Sequence, residues 1–122
     1  MHSLLIVDDE SEIVDQVREY FEEEGFDVTT AETGAEGIQL VIRTHPDILI
    51  LDMKLPDMPG LMVLKAAKTE SPATKVIAIT GYVDQGMMDQ AEEIGRDIFL
   101  QKPFDLERLK QEVDKLLGDK HA

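Results

Sequence analysis

The run Ile48-Leu49-Ile50-Leu51 carries no polar side chain, follows Pro46-Asp47, and closes on Asp52 ahead of the loop-like stretch Met53-Lys54-Leu55-Pro56-Asp57-Met58-Pro59-Gly60. A short unbroken apolar run between turn signals predicts a strand covered on both faces, the situation of a central strand in a parallel sheet. A second such run, Leu4-Leu5-Ile6-Val7, also ends in carboxylates, Asp8-Asp9-Glu10. In open α/β sheets the carboxyl edge of the strands is where ligands and chemistry sit, so both acidic endings are site candidates. Asp52 could instead cap a helix. The next helical pattern, however, starts near Gly60, eight residues on.

The remaining chain alternates in the same way. Ser11 is placed to cap a helix whose apolar positions Ile13, Val14, Val17, Tyr20 and Phe21 share one face, while Glu19, Glu22, Glu23 and Glu24 face water and Gly25 ends it. Residues 26–31 alternate like a half-exposed strand, and residues 34–44 read as a helix burying Ile38, Val41 and Ile42 before His45-Pro46. Residues 61–70 predict a helix with Leu61, Leu64 and either Ala66 or Ala67 inward, broken at Ser71-Pro72. Residues 76–79 form a fourth strand ending at Thr80-Gly81, followed by a short helix marked by Met87, Met88, Ala91 and Ile94, with at least one of the two methionines in the core. Residues 97–101 are the fifth strand, Lys102-Pro103 follows, and Leu106, Leu109, Val113, Leu116 and Leu117 define the last helix.

Five strands alternating with five helices at short spacing require right-handed crossovers and a parallel sheet with helices on both faces. The fold class is therefore α/β and doubly wound, one domain over residues 1–122, with strand order left open by spacing alone. The formal net charge of −14 opposes direct contact with nucleic acid or an anionic membrane surface. No apolar run approaches a membrane span, and Met1-His2-Ser3 lacks the basic region of a signal peptide, so a cytoplasmic location is expected. Absence of cysteine removes disulfides and thiolate chemistry, and His2, His45 and His121, far apart in sequence, are expected to be solvated.

Parallel strands bring Asp8, Asp9, Asp52, Thr80 and Lys102 to one sheet edge. Singly, Asp8-Asp9 is an ordinary turn, Thr80-Gly81 another, and Lys102 an ordinary surface residue; only their shared edge makes them informative. Three carboxylates gathered there repel one another unless a cation sits among them, and Lys102 supplies only one charge. Mg²⁺ suits such a site: it takes a few carboxylates, keeps waters, and leaves room for phosphate oxygens. Asp52, on the central strand, is then the candidate nucleophile for phosphoryl transfer, with Asp8 and Asp9 holding metal and Thr80 and Lys102 meeting the phosphoryl group. A nucleotide- or flavin-binding turn would be glycine-rich, and this first turn is acidic. A small Mg²⁺-dependent phosphatase with an aspartyl nucleophile is the alternative; its usual general acid two residues after the nucleophile is replaced by Lys54.

Leu5-Ile6-Val7-Asp8-Asp9-Glu10, Leu51-Asp52-Met53 with Pro56 and Gly60, Thr80-Gly81, and Lys102-Pro103-Phe104 resemble, in order and spacing, the hallmark segments of the receiver domains of two-component response regulators. The resemblance covers essentially the whole chain and is strongest to single-domain regulators of the sporulation phosphorelay and to receivers of transcriptional activators. It implies the flavodoxin-like (βα)5 fold, a three-layer sandwich on a five-stranded parallel sheet. It further implies that Asp52 is the phosphoacceptor, that Asp8, Asp9, Asp52 and the Lys54 carbonyl hold Mg²⁺, that Thr80 is the switch hydroxyl, and that Lys102-Pro103 is a cis peptide. The implied partners are a sensor histidine kinase or histidine phosphotransfer protein and a downstream effector or output domain. The implied state is a monomer or a weak phosphorylation-dependent dimer. Such a domain is no enzyme in the ordinary sense, although it assists its own phosphorylation and dephosphorylation. Phe99 stands where the family often has tyrosine, so a switch through that position works without a phenolic hydroxyl, and Pro59 replaces a residue that is more often polar.

Overall fold

The computed structural model describes residues 1–118; the remainder of the tail, His121 included, lies outside the described residues. The strands are β1 (Ser3–Val7), β2 (Asp27–Ala31), β3 (Ile48–Asp52), β4 (Lys75–Thr80) and β5 (Ile98–Gln101). The helices are α1 (Ser11–Glu23), α2 (Gly34–Thr44), α3 (Gly60–Glu70), α4 (Gln85–Ile94) and α5 (Leu106–Leu117). All strand pairs are parallel, in the order β2-β1-β3-β4-β5. None of the helices among the described residues is long and apolar enough to cross a membrane.

Strand side chains alternate between two cores. Leu5, Val7, Leu49, Leu51, Val76 and Ala78 pack with Val41, Val63, Leu64, Ala67 and Ala91, the inward residues of α2, α3 and α4. Leu4, Ile6, Ile48, Ile50, Ile77 and Ile79 pack on the other side with Val14, Val17, Phe21, Leu109 and Val113 of α1 and α5. Because β3 is filled on both sides, every one of its residues is buried, as its continuous apolar run predicts.

Several local expectations are corrected. Ile42 is 47% exposed, since Gly34, Gly37 and Val41 form the buried line of α2. Ser11 is the first residue of α1 and not its cap; Glu10 takes that place and caps through no side-chain bond. In α3 the inward residues are Val63, Leu64 and Ala67, with Leu61 half-buried. Phe26 and Asp97 fall outside β2 and β5. Phe26 packs edge-on against Phe21 at 5.1 Å, whereas Asp97 accepts the Val76 N–H at 2.8 Å and pairs with Lys68 at 3.1 Å. Only Ala91 of α4 is buried, with Met87 and Met88 half-buried and Met87 against the core. In α5 the sequence pattern hides two buried acids: Glu112 bonds Arg108 at 3.1 Å, and Asp114 bonds Lys110 at 2.9 Å.

Gly60 is where α3 touches the end of β3. A Cβ there would lie 2.5 Å from Met53 Cα and 2.6 Å from the Asp52 carbonyl oxygen, both backbone atoms that cannot yield cheaply. Gly60→Ala is therefore expected to lower stability by about 1–3 kcal/mol in urea titration. Gly86→Ala is its control, because a Cβ at Gly86 would meet only Asp84 Oδ1 at 3.4 Å; that substitution should be neutral or raise stability by roughly 0.4–1 kcal/mol.

Candidate functional site

Register alone assembles the site. Val7 is opposite Leu51 in the β1–β3 pair, so the next step places Asp8 beside Asp52. On the other flank Thr80 is opposite Gln101, which brings Lys102 to the level of Gly81; the Lys102 N–H donates to the Thr80 carbonyl at 2.8 Å. The Lys102–Pro103 peptide is cis. These ends border an open cleft of about 450 Å³ lined by Asp9, Glu10, Asp52, Lys54, Thr80 and Lys102, with Leu55, Pro56, Gly81 and Tyr82 around them.

Carboxylate oxygens of Asp8, Glu10 and Asp52 lie within 4.8 Å of one another. The Lys102 ammonium sits among them. It donates to Asp52 Oδ2 at 3.0 Å and to Glu10 Oε1, and stands 3.0 Å from Asp8 Oδ2. That last contact is an ion pair without hydrogen-bond angles, so Asp8 Oδ2, fully buried, is left without a hydrogen bond. Asp8 Oδ1 accepts the Glu10 N–H at 2.9 Å and Asp52 Oδ1 the Lys54 N–H at 3.0 Å. Burial opposes the charge of Lys102, yet the carboxylates of Glu10, Asp8 and Asp52 around its ammonium hold its pKa above the ordinary lysine value.

Of the residues expected from sequence, Asp8, Asp52, Thr80, Lys102 and Lys54 converge on this edge. Asp9 lines the cleft but is exposed, and the third carboxylate of the close group is Glu10. The chain bends at Asp9, and the Glu10 N–H on Asp8 Oδ1 at 2.9 Å closes that bend, which sets Glu10 beside Asp8 and leaves Asp9 exposed. The unbroken acidic run Asp8-Asp9-Glu10 at the end of β1 was the available signal for Glu10. Thr80 is 2% exposed; its hydroxyl donates to the Tyr82 carbonyl at 3.0 Å and accepts the Tyr82 N–H at 3.2 Å. Phe99 is half-buried against the α2–α3–α4 core.

Three carboxylates around one ammonium leave a formal charge of −2, and one buried carboxylate oxygen lacks a donor. An all-oxygen donor set of this kind fits a hard divalent cation such as Mg²⁺.

A family model described as the response regulator receiver domain matches residues 4–114. Sporulation initiation phosphotransferase F of Bacillus subtilis (strain 168) is 34% identical over 114 residues, covering 93% of this chain and 92% of the relative. Response regulator SaeR of Staphylococcus aureus (strain USA300) is 36% identical over 117 residues, 96% of this chain, and this chain spans 51% of its length. Among solved structures, a receiver domain protein from Methanospirillum hungatei JF-1 superposes with a TM-score of 0.89 at 30% identity, covering 98% of this chain and 99% of that one.

Burial pushes the Asp8 carboxyl up to about 6, with the Glu10 N–H and Lys102 pulling it down and the Asp52 charge adding to the rise. Between the ordinary value of 3.8 and about 6, the folded chain thus binds more protons than the unfolded one. Stability contributed at this position falls as pH rises through that window and stays low above it. In EDTA, Asp8→Asn should therefore gain on the wild type from pH 4 to pH 7, by on the order of 2 kcal/mol. Urea titrations of both proteins across that range check this, and a difference independent of pH would show that Asp8 holds no extra proton.

Proposed function

Because the chain belongs to the response regulator receiver domains, the phosphorylation-controlled modules of two-component signalling, we propose that Asp52 takes a phosphoryl group from a phosphohistidine on a sensor histidine kinase or a histidine phosphotransfer protein. Receiver domains are signalling domains and not ordinary enzymes, and membership in the family takes the place of the phosphatase alternative. The observation that carries the assignment is the placement of Asp52, buried on the central strand, beside Asp8 and within hydrogen-bond reach of Lys102.

In this reading residues 1–122 act as one receiver domain. A carboxylate oxygen of Asp52 attacks phosphorus, the P–N bond of phosphohistidine breaks as the P–O bond forms, and the imidazole leaves with its electron pair and takes up a proton. Asp8, Asp9 and Asp52, with the Lys54 carbonyl, would hold Mg²⁺, which would supply neutralisation of phosphoryl oxygens. Glu10 borders the same place. Lys102 already bonds Asp52 Oδ2, so its ammonium is at hand for the incoming oxygens. Thr80 must release the Tyr82 backbone before its hydroxyl turns to the phosphoryl group, and that movement should vacate space that Phe99 can occupy. The resulting change is read on the face of α4, β5 and α5 by an effector protein or an attached output domain, in the cytoplasm, with the domain monomeric or weakly dimeric when phosphorylated. Resemblance to a phosphorelay protein of nearly the same length and to a longer response regulator supports both kinds of output.

Acetyl phosphate with Mg²⁺ should add one phosphoryl group, seen by intact mass, and Asp52→Asn should abolish it; undiminished modification of the variant would falsify the choice of nucleophile. Lys54, exposed at the mouth of the cleft, is positioned to shield the acyl phosphate from water by bulk and to steady its charge. An amide there can hold a water in line instead. Lys54→Asn should therefore lose the phosphoryl group faster after the donor is removed, at fixed Mg²⁺ and pH. Decay at or below the wild-type rate would rule out a shielding role for Lys54.

A further inference from the structure

Asp57, in the loop between β3 and α3, has both carboxylate oxygens engaged although the residue is exposed. Oδ1 accepts the Gly34 N–H at 2.8 Å and Oδ2 the Ala35 N–H at 3.0 Å. Gly34 and Ala35 open α2, where backbone N–H groups have no partner within the helix. That helix already has its own cap, because Thr33 Oγ1 accepts the Glu36 N–H at 3.2 Å. The Asp57 contact is thus a second tie to α2, made from a loop more than twenty residues away in the chain. Met58 reinforces it: a Cβ on Gly34 would fall 2.5 Å from Met58 Cγ, so the thioether lies directly on the bare first turn of α2. At its root the same loop is fixed by the Lys54 N–H on Asp52 Oδ1, the Gly60 N–H on the Met53 carbonyl at 2.9 Å, and the bridge between Lys54 and Pro59.

We propose that Asp57 is a positioning residue for the metal site: by strapping the tip of the β3–α3 loop to the first turn of α2, it fixes the attitude in which Lys54 offers its carbonyl to the cation. The proposal rests on the reading above that this carbonyl is a ligand. The Gly34 and Ala35 N–H groups hold the Asp57 carboxyl below its ordinary range, so the strap is charged at neutral pH. Charged acceptors make the stronger bonds to backbone N–H groups. Residues that orient a ligand from behind commonly change metal affinity by tenfold or more.

The test uses the whole chain and Mg²⁺ itself, with affinity measured by isothermal titration calorimetry, stability by urea titration, and hydrogen exchange of the Lys54 amide in EDTA. Asp57→Ala should weaken Mg²⁺ on the order of tenfold and speed exchange at Lys54 without metal. Thr33→Ala, which removes the helix's own cap but leaves the strap, should lower stability and change neither readout. Asp57→Asn, keeping one acceptor oxygen, should fall between. Wild-type affinity in Asp57→Ala, or an equal loss in Thr33→Ala, overturns the strap while leaving the metal reading intact. Failure of the wild type to bind Mg²⁺ removes the metal reading and this proposal with it.

Discussion

Parallel pairing of β1 with β3 is the constraint from which the rest follows. Once Val7 stands opposite Leu51, two strands end in carboxylates at the same level, and neither can be moved without sliding a fully buried strand out of register. At an effective dielectric of about 20, two like charges some 5 Å apart repel by roughly 3 kcal/mol, well beyond what an ordinary surface ion pair returns. The edge therefore needs a cation, and β5 delivers one in Lys102. Its single charge relieves the cluster without neutralising it. A site left short of positive charge attracts a further cation.

Comparison with the other buried acids shows why this cluster is chemical and theirs is structural. Glu112 has Arg108 at 3.1 Å and Lys115 at 3.7 Å, and Asp114 has Lys110 at 2.9 Å, each from the same helix. Lys110 also reaches Glu24 at 3.5 Å, which ties α5 to the end of α1. Those acids have at least as many cationic partners as charges. At the strand ends three acids share one lysine, and the buried Asp8 Oδ2 has no hydrogen bond.

What the sequence displayed depended on whether a feature is local. The strands β1, β3 and β4 are continuous apolar runs, and their carboxyl ends announce Asp8, Asp52 and Thr80 directly. The order β2-β1-β3-β4-β5 could not be read, because spacing does not say on which side of the sheet a crossover returns. Glu10 was hidden by the more conspicuous pair before it. Asp57 reads as a turn residue between two prolines, and its partners Gly34 and Ala35 become visible only when α2 is laid beside the β3–α3 loop. Glu112 and Asp114 look like solvated positions on an amphipathic helix until the lysines and arginine beside them cover their charge. Ile42 erred the other way: the small residues Gly34 and Gly37 let α2 approach the sheet along their own line, which rotates Ile42 outward.

The attachment of α4 has a consequence for how the fold comes apart. Ala91 is the one buried side chain of that helix, helped by half of Met87 and Ile94, and the neighbouring β5 has Ile98 and Phe99 only half covered. Lifting α4 thus uncovers little apolar surface, whereas withdrawing any residue of β3 opens both cores. The molecule is a stiff slab with one loosely seated edge. The amides of α4 lie behind a few methyl and thioether contacts, whereas those of β3 lie beneath both cores. A shift of α4 along the sheet would cost little beyond the contacts of Ala91, Met87 and Ile94.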